Sequence, residues 1–143
     1  MSVFYLIIES HLKIPSYDRG WGNGYVLVPP YHPYYDDVNV EVHYGLTWGS
    51  RVGDFNIIKD DLQVEYCPSL KKIIDDGNVD SLKDYWVYGF DTAHHMDSIS
   101  RWPKEAVWIE TEDLYEQFID IPGWDYIEQL HQRKDKLEKL DNL

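Results

Sequence analysis

Four side chains able to hold a metal ion fall within seven residues of one another: Asp91, His94, His95 and Asp97. They follow the apolar run Tyr85-Trp86-Val87-Tyr88-Gly89-Phe90, so they belong to a polar turn at a strand end. His32 and His43 lie in the only other stretch of this texture, Val28 to Trp48. Imidazole nitrogen and carboxylate oxygen are donors that zinc accepts, in a four-ligand cage when the site is structural. The expected site therefore takes His32 and His43 from the first half and Asp91 and His94 from the second, with Zn2+ as the ion. Asp97 is the reserve oxygen ligand. The alternative is a set of hydrogen-bonded histidines beside a strand end, because Asp-x-x-His spacing arises often by chance.

The elements that must position these groups are legible in outline. Val3 to Ile8 and Tyr25 to Val28 are short apolar runs rich in β-formers, with Pro29-Pro30 stopping the second. Pro15 to Gly24 reads as a loop. His32 precedes Pro33, which keeps its backbone extended. Val38 to His43 alternates with period two, predicting a strand with valines on one face and His43 on the other. Phe55 to Ile58 and Leu62 to Tyr66 are weaker strand candidates. Pro68 to Asp76 suits a short helix stopped by Gly77.

Beyond Asp97 the period lengthens. Val107, Thr111, Leu114, Phe118 and Ile121 step by four, three, four and three, which is a helix with Ser100 as its cap. Pro122-Gly123 breaks it. A second helix follows from Trp124 or Asp125, with Ile127, Leu130, Leu137 and Leu140 on one face and a charged tail, about 132–143, expected to fray. Strands first and helices last predict an α+β fold: a mainly antiparallel sheet backed by two C-terminal helices, one domain over 1–143. A chain of this length buries about 68% of its unfolded surface, enough for a core without staples.

Charge narrows the partners. The formal net charge is −13. A basic footprint for nucleic acid is missing, and anionic membrane is disfavoured on the same ground. A basic protein partner is favoured. Glu105, Glu110, Glu112, Asp113, Glu116 and Asp120 face Lys104 alone on the first C-terminal helix. Glu112, Glu116 and Asp120 recur every four residues and are the expected partner-binding face, although a solvated face is the commoner meaning of such a run. A single cysteine, Cys67, excludes a disulfide framework and fits a reducing compartment. The apolar N-terminus is too short for a signal segment or a membrane span, so a cytoplasmic monomer is expected. No thiol dyad or phosphate loop is present: Cys67 has no neighbouring His, and Gly20-x-Gly22-x-Gly24 lacks the Lys and Ser/Thr of a P-loop.

Several segments resemble a small phage and prophage family. They are Gly24-Tyr25-Val26 with His32-Pro33, Asp36-Asp37, Val42-His43-Tyr44-Gly45-Leu46-Thr47, and Gly89-Phe90-Asp91-Thr92-Ala93-His94 with Asp97. The family pattern reads GYV-x-V-P…HP, YDD, VHGGLT and GFD-x-AH-x-x-D, and the likeness spans roughly residues 22 to 119. Tyr44 stands where the pattern has a glycine, a departure that would crowd the site. The chain is similar to acidic members that act as type II-A anti-CRISPR proteins, a group that includes a zinc metalloprotein. The resemblance implies zinc on His32, His43, Asp91 and His94, with the choice between Asp91 and Asp97 open. It also implies stoichiometric inhibition of a CRISPR type II effector nuclease. The competing expectation is a metal-dependent hydrolase with three protein ligands, a zinc-bound water and a base drawn from Asp97, Glu41 or Asp37.

Overall fold

A computed structural model describes residues 3–10, 19–36, 38, 40–59 and 61–141. The fold is α+β. Five strands, β1 (Phe4–Glu9), β2 (Gly22–Val28), β3 (Trp48–Arg51), β4 (Val64–Tyr66) and β5 (Trp86–Phe90), form one sheet in the order β3-β5-β2-β1-β4. Every pairing is antiparallel. Among the described residues three α-helices accompany it: α1 (Pro68–Asp75), α2 (Lys104–Ile119) and α3 (Trp124–Asp141). No described helix is long and apolar enough to cross a membrane.

The central strands are apolar without interruption because both faces of the sheet are covered. Leu6, Ile8, Tyr25, Leu27 and Val87 point to one side, onto Leu70 of α1, Leu82, Val52 and Ile57. Ile7, Val26, Val28, Tyr88 and Phe90 point to the other, onto Val107, Leu114 and Phe118 of α2 and Trp124 of α3. Alternation is present in direction but invisible in polarity. Each fully buried aliphatic or aromatic side chain contributes about 1.5–3 kcal/mol, so this double-sided core dominates stability.

Glycine allows the close approach of α2. A Cβ at Gly24 would run into Thr111 and Phe90. The Pro15–Gly24 loop expectation is thus corrected at its end: Gly22, Asn23 and Gly24 are strand, and two of them are small because neighbours press on them. The helix expected after Pro68 is present, and Gly77 at φ +75° ends it. Ser100 is not a cap. Helix α2 starts at Lys104 with Pro103 before it and no side-chain cap, while the Ser98 and Ser100 hydroxyls lie 3.0 Å apart.

The strand expected over Val38–His43 is not formed by its described members, and Phe55–Ile58 is irregular. Val38, Val40 and Val42 do pack onto the α2 side of the core. What replaces strand pairing is one side chain. The Gln117 amide accepts from the Glu41 N–H at 2.9 Å and donates to the Glu41 carbonyl at 2.6 Å. The segment is therefore a strap tied to α2 at Glu41, and it delivers His43 to the end of β5. The tail expected to fray from Gln132 is helical to Asp141, with every residue from Gln132 to Asp141 exposed. Asp37 lies outside the described residues.

Candidate functional site

Two turns meet where β5 ends. In the first, the Gly45 N–H donates to the Val42 carbonyl at 2.8 Å, placing His43 and Tyr44 at the tip. Tyr44 has φ +56°, a left-handed conformation costing a non-glycine residue about 1–2 kcal/mol. That is a physical reason for a glycine in the resembling pattern. The tyrosine does not crowd the site: its ring lies flat on His94, with centroids 4.3 Å apart and planes 12° from parallel. In the second turn, the Asp97 N–H donates to the His94 carbonyl at 3.0 Å, and the Asp97 carboxylate accepts from the His94 N–H at 2.9 Å.

The side chains close as two couples. His43 Nε2 is 2.9 and 3.0 Å from the two oxygens of Asp97. His94 Nε2 is 2.8 Å from Asp91 Oδ1. The imidazole centroids are 5.8 Å apart. Asp97 is only 4% exposed, and a buried carboxylate is tolerable only with hydrogen-bond donors or positive charge beside it. His43 and the His94 N–H supply the donors. Asp97, held in reserve at the sequence level, is thus central to the cluster.

His32 is not part of it. Its ring is buried among Tyr34, Phe118 and Trp124. The Tyr34 N–H donates to Nδ1 at 2.9 Å, so Nε2 carries the proton and donates to the Phe118 carbonyl at 2.8 Å. Both nitrogens are spent on main chain, leaving no lone pair for an ion. Burial pushes the His32 pKa down, and the Phe118 contact opposes this only in part. His32 is a structural histidine that fastens the Pro29–Asp36 loop to the end of α2. This corrects its assignment as a ligand.

Two residues of the cluster were missed. Trp102 lies over His43 with centroids 4.1 Å apart, anchored because its carbonyl accepts from the Trp21 N–H at 2.8 Å. Glu110 of α2 lies within electrostatic reach of His43. Burial, then Asp113, pushes its carboxyl above the usual range, while His43 works the other way. Glu110 sits three residues after Val107 and four before Leu114, on the margin of the buried stripe. A carboxylate at that helical position was the available signal. Glu41 contributes its main chain to the Gln117 clamp, and its side chain is exposed.

As donors, the two imidazoles and two carboxylates suit zinc. His94 Nε2 is buried without an aligned hydrogen bond despite its approach to Asp91, the state of a nitrogen that lacks its natural partner. As arranged, however, His43 and Asp97 satisfy each other, while His94 only approaches Asp91. Among the described residues no three His, Cys, Asp or Glu side chains are set to hold a metal ion.

The acidic face also differs from expectation. Glu112 is half-buried and accepts from the Tyr5 hydroxyl at 3.2 Å, which with burial pushes the phenol pKa up. The residues that α2 turns to solvent are Glu105, Ile109, Asp113, Glu116 and Asp120, the last just past its end. Glu116 and Asp120 keep their place in the stripe, and Glu112 gives way to Asp113.

Compared with protein-family models, curated proteins and solved structures, the chain matches none.

Proposed function

We propose that this chain is a stoichiometric binding protein that engages a basic protein surface through the outer stripe of α2. The resemblance supplies the target class, a CRISPR type II effector nuclease in a phage-infected cell. The observation that supports the reading is the stripe itself: four exposed carboxylates, Glu105, Asp113, Glu116 and Asp120, with Ile109 among them and no cation interleaved. Such a face attracts a positive groove from a distance and offers one apolar contact on arrival. It can mimic the charge of a nucleic-acid backbone without turnover.

Zinc belongs to the same reading as a fastener. His43 and His94, with Asp91 and Asp97, are the residues that would hold it, and the ion would tie the strap to the end of β5, making its affinity part of folding stability.

The test is a titration of the purified nuclease. Inhibition complete at one chain per enzyme is expected. A variant with Glu105, Asp113, Glu116 and Asp120 all changed to Lys should stay folded yet fail to inhibit. Inhibition at substoichiometric amounts would overturn the proposal.

A hydrolase remains the second reading, and Glu110 favours it. A half-buried carboxyl that holds its proton longer than usual, within electrostatic reach of His43, is suited to general acid–base work. Under that reading Glu110→Gln abolishes activity while the four-lysine variant retains it. Under the binding reading the two outcomes are exchanged.

A further inference from the structure

Helix α3 presents the wrong side to its own protein. It touches the body through Trp124, Ile127, Glu128 and His131. Trp124 is buried, and Ile127 packs on the core. Tyr31 stacks on His131 at 3.8 Å and on Trp124 at 5.8 Å. Glu128 has one carboxylate oxygen buried without a hydrogen-bond partner, and it adds to the upward push that burial gives the Tyr31 and Tyr85 pKa values. The opposite side carries Tyr126, Leu130, Leu137 and Leu140, exposed by 65, 43, 63 and 63%. With Arg133 these residues step by four, three, four and three, the a/d spacing of a coiled-coil seam. An amphipathic helix that aims Glu and His inward and leucine outward is not placed by burial within one chain.

The charges beside the seam say what covers it. With Leu130 and Leu137 at a, and Tyr126, Arg133 and Leu140 at d, the flanking e and g positions include Lys134, Lys136 and Asp141. Arg133 adds a third cation within the seam. In a chain of net charge −13 this is a locally basic strip, opposite in sign to the stripe on α2. A second copy fits poorly. A parallel self-pair sets Arg133 against Arg133, an antiparallel one brings Lys134 against Lys134, and only Lys136 with Asp141 offers relief. An anionic membrane would draw the acidic body toward a surface that repels it.

We propose that the α3 seam docks an amphipathic helix of a partner protein whose apolar stripe is flanked by carboxylates. Leucines of that helix fill the holes around Leu130, Leu137 and Leu140, and its acidic flanks meet Arg133, Lys134 and Lys136. This surface is separate from the α2 stripe and stands or falls without it.

The probe is a labelled synthetic peptide of three heptads with Leu at a and d and Glu at e and g, followed by fluorescence anisotropy. Saturation at one peptide per chain is expected. Leu137→Asp should weaken binding at least about tenfold, and the double change Lys134→Glu with Lys136→Glu should do so at low salt. Circular dichroism should show helix content retained in both variants. The idea is overturned if the peptide does not bind, or if a peptide with Lys at e and g binds equally well. It is also overturned if sedimentation shows a dimer that Leu137→Asp dissolves, which gives the seam to a second copy. Binding to phosphatidylserine vesicles that the same change abolishes gives it to a membrane and overturns the proposal too.

Discussion

Helices α2 and α3 are consecutive, of 16 and 18 residues, and each carries an apolar stripe. The first buries its stripe and the second exposes it. The difference lies in what was left to cover. The α2 side of the sheet is already filled by α2 itself, by the strap valines Val38, Val40 and Val42, and by Tyr34. When the chain turns at Gly123 (φ +85°), room remains for little more than Trp124 and Ile127. Periodicity dictates that a stripe exists. The direction it faces is decided by the surface still uncovered when that helix arrives.

The sharpest way to break this contrast is to truncate the α2 stripe. Phe118 is fully buried, so Phe118→Ala should cost about 3–5 kcal/mol in urea unfolding. A cost below about 1 kcal/mol would mean that α2 is no more a core helix than α3.

The turn cluster should rank next. Asp97→Asn removes the charge that His43 and the His94 N–H face, and a lost hydrogen bond to a charged group costs about 1.5–3 kcal/mol. An unchanged midpoint would mark the couples as ornament on an independently stable turn.

His32 sharpens the comparison through pH. Its pKa is lower folded than its ordinary value of about 6.5, so below that pH the unfolded chain binds a proton that the folded chain refuses. This contribution is fully present above about pH 6.5 and is lost as pH falls toward the folded value. The drop in Tm between pH 7 and pH 5 should be smaller in His32→Gln than in the parent chain. Equal drops would place the acid sensitivity elsewhere.

The smallest effect belongs to α3. Leu137→Ala should change stability by no more than about 0.5 kcal/mol, because its side chain is already in water. A larger loss would show that the seam is covered in solution.

Much of this was legible. The apolar runs of β1 and β5, the glycine stop after α1 and the stripe at Val107, Thr111, Leu114 and Phe118 follow from local periodicity, and all are present. The strap was read as a strand because an extended segment with one buried side has the same period-two pattern. Only Gln117, 76 residues from Glu41, distinguishes the two. At the site, His43, Asp91, His94 and Asp97 are neighbours, as the two turn segments suggested. His32 was misread for the same reason that His43 was not. Both are histidines in polar loops, and a main-chain partner 86 residues away took up the ring nitrogen of one. Glu110 escaped because it belongs to α2, and Trp102 because a ring contact leaves no mark in ligand spacing.

The strand order has a consequence for how these molecules crowd. The outermost strands, β3 and β4, are only four and three residues long, while β2 and β5 lie inside. A neighbouring chain seeking to extend the sheet finds only a short strand at either described rim, with Arg51 on one and Glu65 on the other exposed to solvent. Cross-β growth needs a longer and flatter template. The apolar strands most prone to fibrillar stacking are thereby screened by the two least able to seed it.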